Sequence, residues 1–239
     1  MPRKTEKQPR RPDPLTRLVR RGRRWMIWAA LVAISCVALA SVAHRVIPPG
    51  PTYYMKQEAR RLGAVRYQWT AMADIAPVMA RSAVAAEDAN FCVHWGFDMQ
   101  AIRQVLERGA ARGASTISQQ TVKNVYLWQG RSWLRKALEA LMTPVVELVW
   151  PKRRIVEIYL NVAEFDEGVF GVDAAARHYF GVAPADLTAL QAARLAAVLP
   201  DPKGRSASKP TAWLRKRTAS IMDGAATIRR DGRARCFED

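Results

Sequence analysis

The longest uncharged stretch of the chain runs over the nineteen residues from Trp25 to Ala43. About 20 mostly apolar residues cross a bilayer core as a helix, so this segment predicts one transmembrane span. Ala38-Leu39-Ala40 resembles a cleavage site. A cleaved signal has a shorter apolar region, however, and the length argues for a retained anchor. Pro48-Pro49-Gly50-Pro51 then stops any helix. Beyond it, apolar residues recur at three- and four-residue spacing over 75–86, 99–108, 115–128, 133–149, 153–165, 172–180 and 187–198, which predicts seven helices. Pro144 falls inside the fourth and is expected to kink or divide it. Alternation with period two is nearly absent, apart from a short extended piece around 67–70, and 200–210 reads as a loop. The expectation is an all-α domain over 53–239, preceded by a tail (1–24), the span (25–43) and a linker (44–52).

Charge orients this arrangement. The chain has 239 residues and a formal net charge of +17, which points to an anionic partner: nucleic acid, a membrane surface or a phosphorylated substrate. Residues 1–24 hold 10 of the 38 Lys and Arg against two acids, Glu6 and Asp13. A basic flank stays in the cytoplasm, which predicts a cytoplasmic tail and an external domain. Trp25 and Trp28 stand at the start of the span, where interfacial aromatics are favoured. Cys36, Cys92 and Cys236 have no metal-binding spacing. Cys92 and Cys236 are able to pair on export, but they are distant in sequence and leave an odd thiol. The default reading is three unpaired cysteines.

Four clusters carry candidate chemistry. In the first, Glu87 and Asp88 end an apolar helical run and lead into Phe91, His94, Gly96 and Asp98. A carboxylate at such a boundary is partly desolvated, which suits proton transfer near neutral pH. A solvated helix end with a packed His94 fits these residues equally. The second is Gly113-Ala114-Ser115-Thr116 opening a helix that carries Gln120, Lys123 and Asn124 at three- and four-residue spacing. Helix N-termini bind anions, and amides beside an ammonium suit sugar hydroxyls and phosphates. The same letters read as the second half of a DNA-binding helix-turn-helix. The third is Arg135, Lys136 and Glu139, able to clamp a pyrophosphate or to pair along a helix. The fourth runs from Lys152 to Asn161, with Glu157 and Asn161 facing the same way. His178, in the small-residue helix that follows, reads as structural.

Taken in order, E-D-x-x-F-x-x-H-x-G-x-D, G-x-S-T-I-x-Q-Q-x-x-K-N, R-K-x-x-E and K-x-x-I-x-E-x-Y-L-N closely resemble the peptidoglycan glycosyltransferase family, glycosyltransferase family 51. With one span and a short basic tail, the chain looks like its monofunctional biosynthetic branch. Ser206-Ala207-Ser208-Lys209 matches the S-x-x-K of a transpeptidase in letters, but it lies in a loop with no K-T-G partner. The resemblance implies a lysozyme-like helical fold with a small lobe that dips into the membrane. It also implies polymerisation of lipid II onto a nascent glycan strand at the cytoplasmic (inner) membrane, with the catalytic domain periplasmic.

By the same resemblance Glu87 is the catalytic base, and Glu139 assists departure of undecaprenyl pyrophosphate. Lys123, Arg135 and Lys136 contact that pyrophosphate, with Gln120 and Asn124 beside them. Ser115, Thr116 and Glu157 lie near the sugars. Mg²⁺ or Mn²⁺ is the expected cation, and penicillin-binding or divisome proteins are the expected partners. Thr121 stands where the family usually has an apolar residue, and Asp166 where it often has glycine. A lysozyme-type lytic enzyme shares the fold class but needs no cations for a leaving phosphate. A membrane-anchored DNA-binding regulator would need its domain in the cytoplasm, against the tail charge, so no nucleic-acid partner is expected.

Overall fold

The computed structural model describes residues 14–108 and 115–238, in two compact units that meet at Ala40/Ser41. Most of the basic tail before Pro14, and the Gly113-Ala114 pair that opens the second motif, lie outside the described residues. In the first unit the chain is helical from Pro14, as the start of α1 (Pro14–His44). Within Arg20–His44 an 18-residue window has a mean hydropathy of 2.3, and the helix is long and apolar enough to cross a membrane. Trp25, Ile34 and Leu39 are exposed. The helix begins well before the apolar run because arginine propagates a helix nearly as well as alanine does. The apolar run is therefore shorter than the helix that contains it.

Among the described residues of the second unit ten α-helices follow: α2 (Tyr53–Leu62), α3 (Pro77–Glu87), α4 (Met99–Arg108), α5 (Ile117–Tyr126), α6 (Trp133–Val149), α7 (Lys152–Val162), α8 (Gly171–Phe180), α9 (Ala189–Val198), α10 (Ala212–Arg230) and the short α11 (Arg235–Glu238). The seven expected from periodicity are all present. Pro144 does not divide α6, which runs through it as one helix. A proline removes one backbone donor, and that loss is tolerated where the surrounding turns are held. Thr143, just before it, donates its hydroxyl to the Glu139 carbonyl at 2.7 Å. Three helices, α2, α10 and α11, lie outside the expected set. The buried stripe of α10, Leu214, Thr218, Ile221, Ala225 and Ile228, has helical spacing. The interspersed basic residues and a threonine mask it.

Two helix groups make the core. In one, α3, α9 and α10 pack on one another; in the other, α5 packs on α6 and α7. α7 buries Ile155, Val156, Ile158, Tyr159, Leu160 and Val162, and with them the polar Arg154 and Asn161, so it runs through the core. A small sheet of three strands, β1 (Arg66–Tyr67), β2 (Glu164–Asp166) and β3 (Val169–Phe170), has the order β1-β3-β2. β1 runs parallel to β3, Arg66 opposite Val169, and β2 antiparallel, Glu164 opposite Phe170. The chain then turns into α8 at Gly171, where φ is +81° and a Cβ would lie 2.8 Å from the Asn161 carbonyl oxygen. Only glycine fits that approach. Asp166 ends β2 and pairs with His178 Nε2 at 3.0 Å, so both residues serve the local structure.

The default reading of three unpaired cysteines is corrected. Cys92 and Cys236, 144 residues apart, form a disulfide with their Cα atoms 5.7 Å apart, and Cys36 is free. Sequence distance hid the pair because α11 folds back onto the 3-10 turn Phe91–Val93. There Phe237 is fully buried, and Arg153 Nη1 donates to the carbonyls of Phe237 (3.3 Å) and Glu238 (2.9 Å). Replacing both cysteines by serine is expected to lower the unfolding free energy by about 2–4 kcal/mol, since the bond closes a long loop. Chemical denaturation with and without dithiothreitol checks this. The reductant should cost the wild type the same amount and the double variant nothing.

Candidate active site

Glu87 is the last residue of α3. It follows buried Ala83 by one turn, so its carboxylate turns inward with the core face. Its side chain keeps only 12 % of its exposure. Burial is the largest influence and raises its pKa, and Asp88 adds to this. A hydrogen bond from Gln120 and the charges of Arg217 and Arg205 oppose it. Gln120 Nε2 donates to Glu87 Oε2 at 3.0 Å. The carboxylate borders a cavity of about 480 Å³ lined also by Ser115, Gln120, Pro200, Arg205 and Arg217. A second cavity of about 320 Å³, lined by Lys123, Asn124, Tyr159, Glu164 and Lys203, shares Gln120 and Pro200 with the first. The two are therefore neighbours along one cleft.

The first two motifs meet through Asp88. Its Oδ2 accepts from the Ile117 backbone N–H at 3.0 Å, and its Oδ1 lies 2.8 Å from His94 Nε2. A carboxylate on a helix N-terminus is favourable, and here it docks α5 against the end of α3. Thr116 caps α5 in a reciprocal box with Gln119 and donates its hydroxyl to the Gly96 carbonyl at 2.7 Å. Gly96 has φ +80°, and a Cβ there would meet Thr143 Cγ2 at 2.5 Å, so glycine is required where the loop crosses α6. Thr121 is fully buried and bonds the Ile117 carbonyl at 2.8 Å, which lets a threonine occupy an apolar position.

The third motif forms a charged knot. Glu139 is buried, with Oε2 taking Arg135 Nη1 at 2.7 Å and Oε1 taking Lys136 Nζ. Lys136 Nζ also reaches Ser115 Oγ at 3.1 Å. Burial and the neighbouring Arg135 and Lys136 lower the pKa of Lys123, while Glu139 and Glu87 raise it. Through Ser115 the Arg135–Lys136–Glu139 knot borders the Glu87 cavity, and Gln120, Lys123 and Asn124 line the adjoining one: an anionic acceptor of protons has three cations in its neighbourhood. That pairing suits removal of a proton from a hydroxyl and stabilisation of a departing phosphate.

Two of the expected residues are placed differently. Glu157 lines neither cavity. Its Oε1 accepts from the Met72 N–H at 3.0 Å and its Oε2 from Arg154 Nη1 at 2.7 Å. With Asn161, which exchanges two bonds of 2.8 Å with the Thr70 backbone, it clamps the segment before α3. Thr116 is buried and its hydroxyl serves the cap and Gly96. Conversely, Arg205, Trp213 and Arg217 line the Glu87 cavity and were not singled out by the motifs. The sequence signal for Trp213 and Arg217 is the partly masked periodicity of α10; Arg205 lies in the loop before it.

Residues 55–226 match the sequence model of the Transglycosylase family. The chain belongs to that family. The matched stretch of the transglycosylase domain takes in Glu87, the α5 face, the Glu139 knot and Arg217 alike. A protein named biosynthetic peptidoglycan transglycosylase from Jannaschia sp. (strain CCS1) is 60 % identical over 90 % of each chain. Proteins of the same name are each 44 % identical, from Caulobacter vibrioides over 92 % of this chain and 98 % of that one, and from Rhodospirillum centenum over 91 % and 96 %. The helix-turn-helix alternative gives way to the family match, and the polar face of α5, Gln120, Lys123 and Asn124, lines a cavity.

Proposed function

We propose that the chain polymerises lipid II into β-1,4-linked glycan strands for the cell wall, releasing undecaprenyl pyrophosphate. The observation that carries this reading is Glu87, a buried carboxylate whose cavity adjoins that of Lys123 and is bordered, through Ser115, by the Arg135–Lys136–Glu139 knot. Glu87 takes the proton from the 4-hydroxyl of the acceptor sugar. That oxygen forms a bond to the anomeric carbon of the donor strand, with inversion. The anomeric C–O bond to the pyrophosphate breaks and its electron pair leaves with the phosphate. Lys123, Arg135 and Lys136 hold the developing charge, and Glu139 keeps the two cations of α6 in position. Ser115, Gln120 and Asn124 bind sugar or phosphate oxygens.

A divalent cation, Mg²⁺ or Mn²⁺, belongs to the proposal only alongside the substrate's own phosphate oxygens. Both oxygens of Glu139 are engaged by Arg135 and Lys136, and among the described residues no three His, Cys, Asp or Glu gather. These side chains do not fit a resident ion.

The domain is assigned to the periplasmic side of the inner membrane, with a cytoplasmic tail. The basic flank of the anchor supports this orientation, and so does the disulfide, which favours an oxidising compartment. Exposed Trp133, Leu134, Leu141 and Leu148 on α6 support a domain that meets the lipid in which its substrate is dissolved. Purified full-length chain in detergent, given labelled lipid II, should form high-mass polymer that muramidase degrades. Release of fragments from preformed glycan, with no polymer, would instead establish the lytic reading.

A further inference from the structure

Arg217 belongs to none of the four motifs, yet it reaches the centre of the cleft. On α10 it precedes buried Thr218 and lies beside the stripe that packs on α3 and α9. Its Nη2 donates to the Ala86 carbonyl at 3.2 Å and lies 3.9 Å from Glu87 Oε1. Among the described residues it is the one basic side chain with a nitrogen within 4.0 Å of that carboxylate. Its Nε is buried without a hydrogen-bond partner. The site therefore grips Glu87 from two elements: Gln120 of α5 at Oε2 and Arg217 of α10 on the side of Oε1. A guanidinium at the end of α3 is also favoured by the free carbonyls of that helix terminus.

We propose that Arg217 is the positioning residue of Glu87, holding the carboxylate toward the cavity through the Ala86 carbonyl and keeping it an anion in a desolvated cleft. The inference rests on the proposed role of Glu87 as base. The other groups that face or influence Glu87 do not replace it. Asp88, beside it on the chain, is committed to His94 and the α5 N-terminus and disfavours the Glu87 anion. Lys123 of α5 is itself desolvated, and Tyr159 of α7 is buried, its pKa pushed up. Arg205 is held elsewhere, by the Ala197 carbonyl at 3.2 Å and over the Trp213 ring at 4.7 Å. The burial that raises the Glu87 pKa is offset by Arg217 among others. Removing that charge raises the pKa further and leaves less of the base ionised at a given pH.

The test is the pH profile of kcat/KM for lipid II polymerisation by the full-length chain, wild type beside Arg217→Met, Arg217→Gln and Arg217→Lys. The acid limb should move to higher pH in R217M and R217Q. Their loss below neutrality should be about three- to tenfold greater than on the alkaline plateau. R217K, which keeps the charge, should return the limb toward the wild type. R217Q retains a donor for the Ala86 carbonyl, so it separates loss of charge from loss of the tie, and it serves if the methionine variant does not fold. A limb that stays in place in R217Q, with a uniform loss at every pH, would reduce Arg217 to a packing residue and overturn the proposal. Glu87→Gln in the same assay tells the failures apart. Wild type without polymer sinks the functional reading. An active E87Q removes the base, and the Arg217 inference with it. An inactive E87Q with an unmoved R217Q limb refutes Arg217 alone.

Discussion

Glu87→Gln is expected to lower the rate of lipid II polymerisation by about 10²–10⁴-fold, the usual worth of a positioned general base, while the folded domain becomes no less stable. Both halves follow from one fact. The carboxylate is desolvated at the end of α3, with a single hydrogen bond from Gln120 Nε2 and an arginine at 3.9 Å as its compensation. Its pKa is raised, chiefly by burial. A group whose folded pKa is raised adds stability only while protonated. That contribution is full below the ordinary glutamate range and is lost as pH rises through the folded value. Once ionised, the buried Glu87 is a burden on folding, and a neutral amide of the same shape relieves it. Polymer yield and thermal unfolding, measured on the same preparation, read the two effects. A variant that polymerises at the wild-type rate would remove Glu87 from the chemistry. A melting temperature lowered by several degrees would show that the carboxylate supports the fold instead.

Lys152→Met is expected to be the most destabilising of the charge deletions, by about 3 kcal/mol, because it strands a buried carboxylate. Lys152 Nζ donates to Glu147 Oε1 at 2.9 Å and to the His94 carbonyl at 2.8 Å, and lies 4.2 Å from the centre of the Phe91 ring. Glu147 is buried and its Oε1 also takes the Ser118 hydroxyl. One lysine thus joins the loop after Glu87 to α5, α6 and α7. Methionine keeps much of the stem and the contact with Phe91, so the lost charge and hydrogen bonds dominate. For a domain of this size the melting temperature should fall by about 6–12 °C. Adding Glu147→Gln to K152M should recover most of the loss, since the stranded charge is then gone. Strict additivity of the two single changes in circular-dichroism melts would show that the pair is not coupled.

Much of the helical architecture was legible because it rests on local spacing. Seven helices repeat apolar residues on one face, and their packing follows from that face. The helices that escaped notice are those whose pattern is diluted: α10 by basic residues, α2 by Lys56, Glu58, Arg60 and Arg61 along its length, and α11 by having only four residues. Of the motif residues, Glu87, Gln120 and Lys123 line the two adjoining cavities, and the Arg135–Glu139 knot touches the first through Ser115. Glu157 and Thr116 belong to the same motifs, yet they act as clamp and cap. A motif records which residues recur together and not which of them touch a ligand.

By itself, then, the sequence determined the long apolar N-terminal helix, the helical class, the family resemblance and the order of the polar clusters, since each is written in residues near one another along the chain. Tertiary structure alone decided the pairing of Cys92 with Cys236, the convergence of Lys152 on Glu147 and His94, and the reach of Arg217 to Glu87. These contacts join segments whose separation is set by how α10 and α11 fold back on α3 and α7 and by how the loop after α3 lies against α6 and α7. That return depends on the summed burial of many apolar side chains, a property of the packed core that no local pattern records.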